Sequence, residues 1–301
     1  MLMENITETF VINLKECKKR LYNIDKNLGH FGIKYNVWIA TKGSDLTESE
    51  LNKHTSYICK NIICNNGIIG CHMSHLLLWK HIAKNHGNSP NKWFLILEDD
   101  AEIEPRFIEN LQGVFKDISN WKNALPEFVH LSCETFCKEK KVSDYLFKSS
   151  LINTTRAYML SAAGAYKLSQ AFIKIHYHVD VMMSIKYNLF NIIEYYTTNN
   201  FVKANDNMQS TVSANSFPRL IPDIVTNILN ALGVNETFHI VYDSSIISID
   251  RTVNINIMVF VFITIIGLLL ADKMYLLAVV YVVIEVAYWV LIKSLYQKMP
   301  C

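Results

Sequence analysis

Lys92-Trp93-Phe94-Leu95-Ile96-Leu97-Glu98-Asp99-Asp100 is the stretch that decides the fold. From Trp93 to Leu97 no residue is polar, which is the pattern of a strand buried on both faces of a parallel sheet. Three carboxylates follow where the apolar run stops. In open α/β sheets that carboxyl edge is where ligands collect. Adjacent acids repel, and a strand end gains nothing structural from them, so a compensating cation is a physical reason for such a cluster. Oxygen donors of this kind suit Mg²⁺ or Mn²⁺ shared with substrate phosphates. The competing reading is a solvated acidic turn before a helix that begins near Pro105.

Outward from this strand, apolar β-rich runs alternate with helix-period stretches. Thr9 to Leu14, Lys34 to Ala40, Phe128 to Ser132, Arg156 to Leu160 and Ile192 to Thr197 are expected strands. Glu16 to Leu28, Ile69 to Lys84 and Ala162 to Ile173 are expected helices. Alternation of this kind predicts an α/β fold with a mostly parallel sheet. The segment Gly67-Ile68-Ile69-Gly70-Cys71-His72-Met73-Ser74-His75 is a glycine turn opening into a helix. A helix N-terminus behind small residues offers free N–H groups to a phosphate. Cys59, Cys64, Cys71 and His75 form an alternative zinc set, though without any Cys-x-x-Cys pair. His75 reads equally as a ligand-contacting or a hydrogen-bonded core histidine.

The 301 residues carry 29 basic and 27 acidic side chains, and half are hydrophobic. That balance excludes a disordered chain and gives no basic field for nucleic acid. Seven scattered cysteines and no basic or apolar leader at Met1 to Asn5 predict reduced thiols and no secretion signal. Asn5, Asn153 and Asn235 head sequons of the sort that chance supplies in an Asn-rich chain. Charge almost vanishes after Asp250, which divides the expected domains at 1–250 and 251–301. Apolar runs at about 254–271 and 274–292 predict a transmembrane hairpin, interrupted by Asp272-Lys273 and by Glu285. Arg251, Lys293 and Lys298 at its outer ends predict a multi-pass membrane protein with its catalytic part in the cytosol.

Taken in order, these stretches resemble glycosyltransferase family 25. Val11-Ile12-Asn13-Leu14 with Arg20 resembles its opening strand and helix, and Gly67 to Trp79 its Gly-x-x-Gly-Cys-x-x-Ser-His segment. Leu97-Glu98-Asp99-Asp100 matches its Leu-Glu-Asp-Asp motif, and Thr155 to Ala165 is similar to its Tyr-x-x-Ser-x-x-Gly-Ala element. Val179-Asp180, then Gln209-Ser210 and Ser213, follow in sequence. Ile68, Lys42 and His178 depart from the family pattern.

The resemblance implies a GT-A-type fold and an inverting transfer of a sugar, galactose from UDP-galactose, to a glycan or glycoconjugate hydroxyl. It implies Mn²⁺ or Mg²⁺ held by Glu98 and Asp100, with Asp99 orienting the donor and Asp180 as catalytic base. Asp180 reads alternatively as a helix N-cap. Asn13, Arg20, Gly70, Ser74 and His75 would contact the nucleotide sugar. Ser74 reads alternatively as a helix hydroxyl bonded to its own backbone. The rival functions are a degenerate glycan- or nucleotide-binding protein, a nucleotidyltransferase, for which a phosphate-gripping Walker loop is missing, and a membrane scaffold.

Overall fold

The computed structural model, which describes residues 3–122, 124–133, 140–149, 152, 154–205, 216–231 and 245–298, sets the Trp93 run inside an eight-stranded sheet. Its strands are β1 (Ile6–Asn13), β2 (Asn36–Ile39), β3 (Trp93–Glu98), β5 (Phe128–His130), β6 (Lys140–Lys141), β7 (Phe147–Lys148), β8 (Ala157–Ser161) and β9 (Tyr195–Thr197). They lie in the order β2-β1-β3-β8-β5-β9-β7-β6. A separate ribbon pairs β4 (Ala101–Ile103) with β10 (Val202–Ala204), antiparallel. The helices are α1 (Lys18–His30), α2 (Glu48–His54), α3 (Asn66–His86), α4 (Phe107–Ser119), α5 (Ala162–Ala171), α6 (Val179–Phe190), α7 (Leu220–Ala231), α8 (Met258–Ala271) and α9 (Tyr275–Lys298).

The chain divides into two compact units, one of Met1–Asp45 and Gly70–Met208, the other of Leu46–Ile69 and Gln209–Pro300. The first contains the large sheet. Among its six central strands, β2, β1, β3, β5 and β9 run one way, and β8 alone runs against them. Phe94 to Leu97 are wholly buried, as a run without a polar face requires. One core joins Val11, Leu95, Leu97, Val129 and Met159 of the sheet to Ile24 and Leu28 of α1 and to α4. Helix α4 contributes Phe107, Leu111, Val114 and Ile118, the i, i+4, i+7, i+11 face of an amphipathic helix.

The second unit corrects two expectations. Its sheet has the order β11-β13-β12, with β11 (Ser216–Phe217), β12 (Ser245–Ile249) and β13 (Val253–Asn256). The start of the expected first span, from about residue 254 to Asn256, therefore lies in strand β13. Helix α8 keeps 14 residues, about 21 Å at 1.5 Å each, against a hydrocarbon core of about 30 Å. Among the described residues no helix is long and apolar enough to cross a membrane, which overturns the multi-pass hairpin and the membrane localisation. Phe260, Ile263, Leu268 and Leu276 on α8 and α9 stay exposed.

Glu285, the charge that interrupts the second apolar run, is wholly buried and accepts the backbone N–H of Arg219 at 2.6 Å and of Leu220 at 2.8 Å. It caps α7 from another element, satisfying two donors that a helix start leaves open. The expectation of reduced thiols is also corrected. Cys59 and Cys64 are disulfide-bonded across a short π-helical turn, Cys59–Ile63, and Cys133 is disulfide-bonded too, while Cys17 and Cys71 are free.

Candidate active site

The acidic triplet ends β3 and turns into β4, so Glu98 is still in the ladder while Asp99 and Asp100 occupy the turn. The three carboxylates differ in their partners, although Asp99 and Asp100 share Arg20. Asp99 accepts Asn13 Nδ2 at 2.7 Å and pairs with Arg20 at 2.8 Å. Arg20 also lies 3.5 Å from Asp100, and Arg156 lies 3.6 Å from Asp100 on the other side. Glu98 accepts the Thr155 hydroxyl at 2.7 Å and sits 3.2 Å from His75 Nε2. Asn13, the last residue of β1, and Arg20, in the first turn of α1, thus meet the triplet as strand-end geometry demands.

These environments pull the acids apart. Burial raises the Asp99 carboxyl to about 6, with Asp100 and Glu98 adding to the rise and Arg20 and Asn13 opposing it. For Glu98 burial acts upward too, but His75, through its hydrogen bond and its charge when protonated, the Thr155 hydrogen bond and the charge of Arg156 outweigh it and hold this carboxyl well below the ordinary range. Cys71 Sγ, His75 and Glu98 bring their ligand atoms within 4.8 Å of one another. Burial, reinforced by Glu98, Asp180 and Asp100, pushes the Cys71 thiol well up, away from the thiolate a metal would need.

Asp180 belongs to the same neighbourhood. It lies inside the first turn of α6, whose N-cap is His178, so the N-cap reading fails; the carboxylate accepts the adjacent Val181 N–H at 2.8 Å. Burial and then the Glu98 charge lift its carboxyl to about 7, against the pull of Val181 N–H. A carboxylate held near neutrality is what proton abstraction at physiological pH asks for.

Gly70 and Ser74 serve the backbone. A Cβ on Gly70 would lie 2.5 Å from Thr41 O and 2.8 Å from Gly43 N, so this position admits no side chain. Ser74 Oγ donates to Gly70 O at 2.6 Å and accepts Thr41 N–H at 2.8 Å, which pins the loop after β2 to α3. Gln209, Ser210 and Ser213 lie outside the described residues. Sequence reasoning quoted Thr155, Arg156, Tyr158 and Trp79 within motifs without giving them a place in the site, and gave Cys71 one only as a member of an alternative zinc set. The pairing Leu97↔Ala157 brings the start of β8 beside the end of β3, and Glu98 N–H donates to Arg156 O at 2.7 Å.

The sheet and its acidic carboxyl edge define an α/β protein whose candidate site is lined by carboxylates, arginines and one buried histidine. Residues 6–183, more than half of the chain, match the profile of glycosyltransferase family 25 (LPS biosynthesis protein), and the chain belongs to that family. A protein of Acanthamoeba polyphaga mimivirus named as a glycosyltransferase is 31% identical over 121 residues, 38% of this chain and 35% of its own. Glycosyltransferase 25 family members of Drosophila melanogaster and Anopheles gambiae are 25% and 24% identical, over 56% and 54% of this chain and 28% of each of theirs. The chain thus spans about a third of the length of the curated relatives it matches. A crystal structure of a glycosyltransferase involved in the glycosylation of the major capsid of PBCV-1 aligns at 13% identity, covering 64% of this chain and 81% of that one. Its TM-score of 0.33 is too loose to carry an argument.

Proposed function

We propose that the chain is a glycosyltransferase of GT-A type that moves a sugar, galactose from UDP-galactose, to a glycan or glycoconjugate hydroxyl with inversion. The observation that carries the reading is the pair of carboxylates tuned apart in one neighbourhood: Glu98 held ionised, Asp180 raised to about 7. Such a division lets one group face the donor while the other exchanges a proton.

In this reading Asp180 accepts the proton of the acceptor hydroxyl as that oxygen attacks the anomeric carbon. Asp99, anchored by Asn13 and Arg20, orients the donor. Arg20 and Arg156 add positive charge where the diphosphate departs. The donor set also suits a divalent ion, because the triplet supplies hard oxygens and, after burial, the neighbouring charges of Asp100 and Glu98 add to the rise of the Asp99 carboxyl. Glu98 and Asp100 would hold Mn²⁺ or Mg²⁺, which when bound supplies charge neutralisation to the leaving UDP.

The test is UDP release by the whole chain from a panel of UDP-sugars, with Mn²⁺, with EDTA, and in Asp100→Ala. Release from one donor, lost in EDTA and in Asp100→Ala, upholds the reading and names the sugar. No release and no UDP binding by the folded chain sinks it in favour of a catalytically degenerate binding protein.

A further inference from the structure

Four side chains stand in line behind the acidic strand end. Trp79 Nε1 is 2.9 Å from Tyr158 Oη, which is 2.9 Å from His75 Nδ1, and His75 Nε2 is 3.2 Å from Glu98 Oε1. Trp79, Tyr158 and His75 are at most 1% exposed, so bulk solvent does not reach these bonds.

Donor chemistry fixes the hydrogens. An indole nitrogen can only donate, so Tyr158 Oη accepts from Trp79. The phenol oxygen has a second lone pair, but a hydrogen on His75 Nδ1, in the neutral ring or the imidazolium, would leave the buried phenol hydrogen without an acceptor among the described residues, so that hydrogen goes to Nδ1, which accepts. An imidazole that accepts at Nδ1 carries its hydrogen on Nε2, and that hydrogen points to Glu98 Oε1. Thr155 Oγ1 donates to the same oxygen. Both bonds fall on Oε1, and Oε2 makes none among the described residues, although the side chain is 26% exposed.

We infer that Trp79, Tyr158 and His75 are positioning residues for Glu98. The line selects one tautomer of His75, locks the carboxylate through one oxygen, and leaves the other to receive a hydroxyl of the sugar donor or a bound cation. A glutamate at a strand end has several rotamers, and two donors on one oxygen remove that freedom before substrate arrives. The line also argues against a soft metal on His75. Coordination through Nε2 would put the hydrogen on Nδ1, facing a phenol that already accepts from Trp79, and the phenol's own buried hydrogen would have no acceptor.

The functional half of this inference rests on the glycosyltransferase reading, whereas the hydrogen assignment stands apart from it. The experiment uses the full chain labelled with ¹⁵N-histidine, with long-range ¹H–¹⁵N correlations at neutral pH and the His75 signals assigned by their loss in His75→Gln. The wild type is expected to show the Nε2–H tautomer, and Tyr158→Phe a mixture of both. In transfer assays Tyr158→Phe is expected to lose about 10- to 100-fold in kcat/KM. His75→Gln, which still offers an N–H to Glu98, is expected to retain more activity than His75→Ala at a similar melting temperature. An Nδ1–H tautomer in the wild type, or Tyr158→Phe transferring at the wild-type rate, overturns the inference. The expected tautomer in a wild-type chain that releases UDP from no donor overturns the glycosyltransferase reading and upholds the line of hydrogen bonds.

Discussion

Replacing Asp180 by asparagine tests the base through two quantities that respond oppositely. Burial and the Glu98 charge move the carboxyl from 3.8 to about 7. Between those values the folded chain keeps a proton that the unfolded chain has released. A raised carboxyl therefore leaves stability intact below about pH 4, lowers it as pH climbs to about 7, and costs nothing further above. At 1.36 kcal/mol per pH unit the total is about 4 kcal/mol, reduced by water at the partly exposed carboxyl. Asparagine does not titrate, so Asp180→Asn should melt increasingly above the wild type from pH 4 to 7, and the gap should then level. Activity moves the other way. Transfer by the wild type should rise through about pH 7 as Asp180 ionises, and the variant should lose about 10²- to 10⁴-fold in kcat/KM together with that limb. Melts by circular dichroism and initial rates of UDP release from pH 5 to 9 measure both. A variant within about threefold of wild type, or a pH-independent difference in melting, would refute the assignment.

Further outcomes follow from contacts elsewhere in the chain. Glu285→Ala leaves the Arg219 and Leu220 N–H groups unpaired and should cost about 1 to 3 kcal/mol in a urea melt, whereas Glu285→Gln keeps an acceptor and should cost less. Gly70→Ala forces a methyl group against two backbone atoms, at 2.5 and 2.8 Å, and should lower the melting temperature by an amount equivalent to about 1 to 3 kcal/mol. Non-reducing peptide mapping should recover Cys59 and Cys64 in one linked species, and Cys64→Ser should destabilise the chain by about 2 kcal/mol, as closure of so short a loop allows.

The large sheet was legible because β3 has no polar face and β1 opens directly into a basic helix, signals that need no knowledge of distant residues. The end of the chain was not. Apolar composition counts residues without asking about their hydrogen bonds, and Val253–Asn256 spends its backbone on a ladder with β12 and β11 that removes it from any span. Glu285 looked like an expense inside an apolar run, but its partners are backbone N–H groups some 65 residues earlier, and no local pattern reports a cap supplied from that distance.

The site was half legible for a related reason. Motif order named the triplet, His75 and Asp180, but the expectation of a mostly parallel sheet assigned no direction to the strand from Arg156. In a parallel strand the residues that enter it lie at the far edge, a strand length from the triplet. Because β8 runs against β3, its entering residues arrive at the acidic edge: Arg156 O closes the ladder at Glu98, Thr155 binds the Glu98 carboxylate, and Arg156 faces Asp100. Two residues on, Tyr158 pairs with Ile96 and reaches His75 on α3. The reversal of one strand thus supplies both a second positive charge beside the triplet, Arg156 after Arg20, and the hydroxyl that orders the histidine behind it. Strand direction is set by pairing across the sheet, so an apolar run of five residues carries no trace of it.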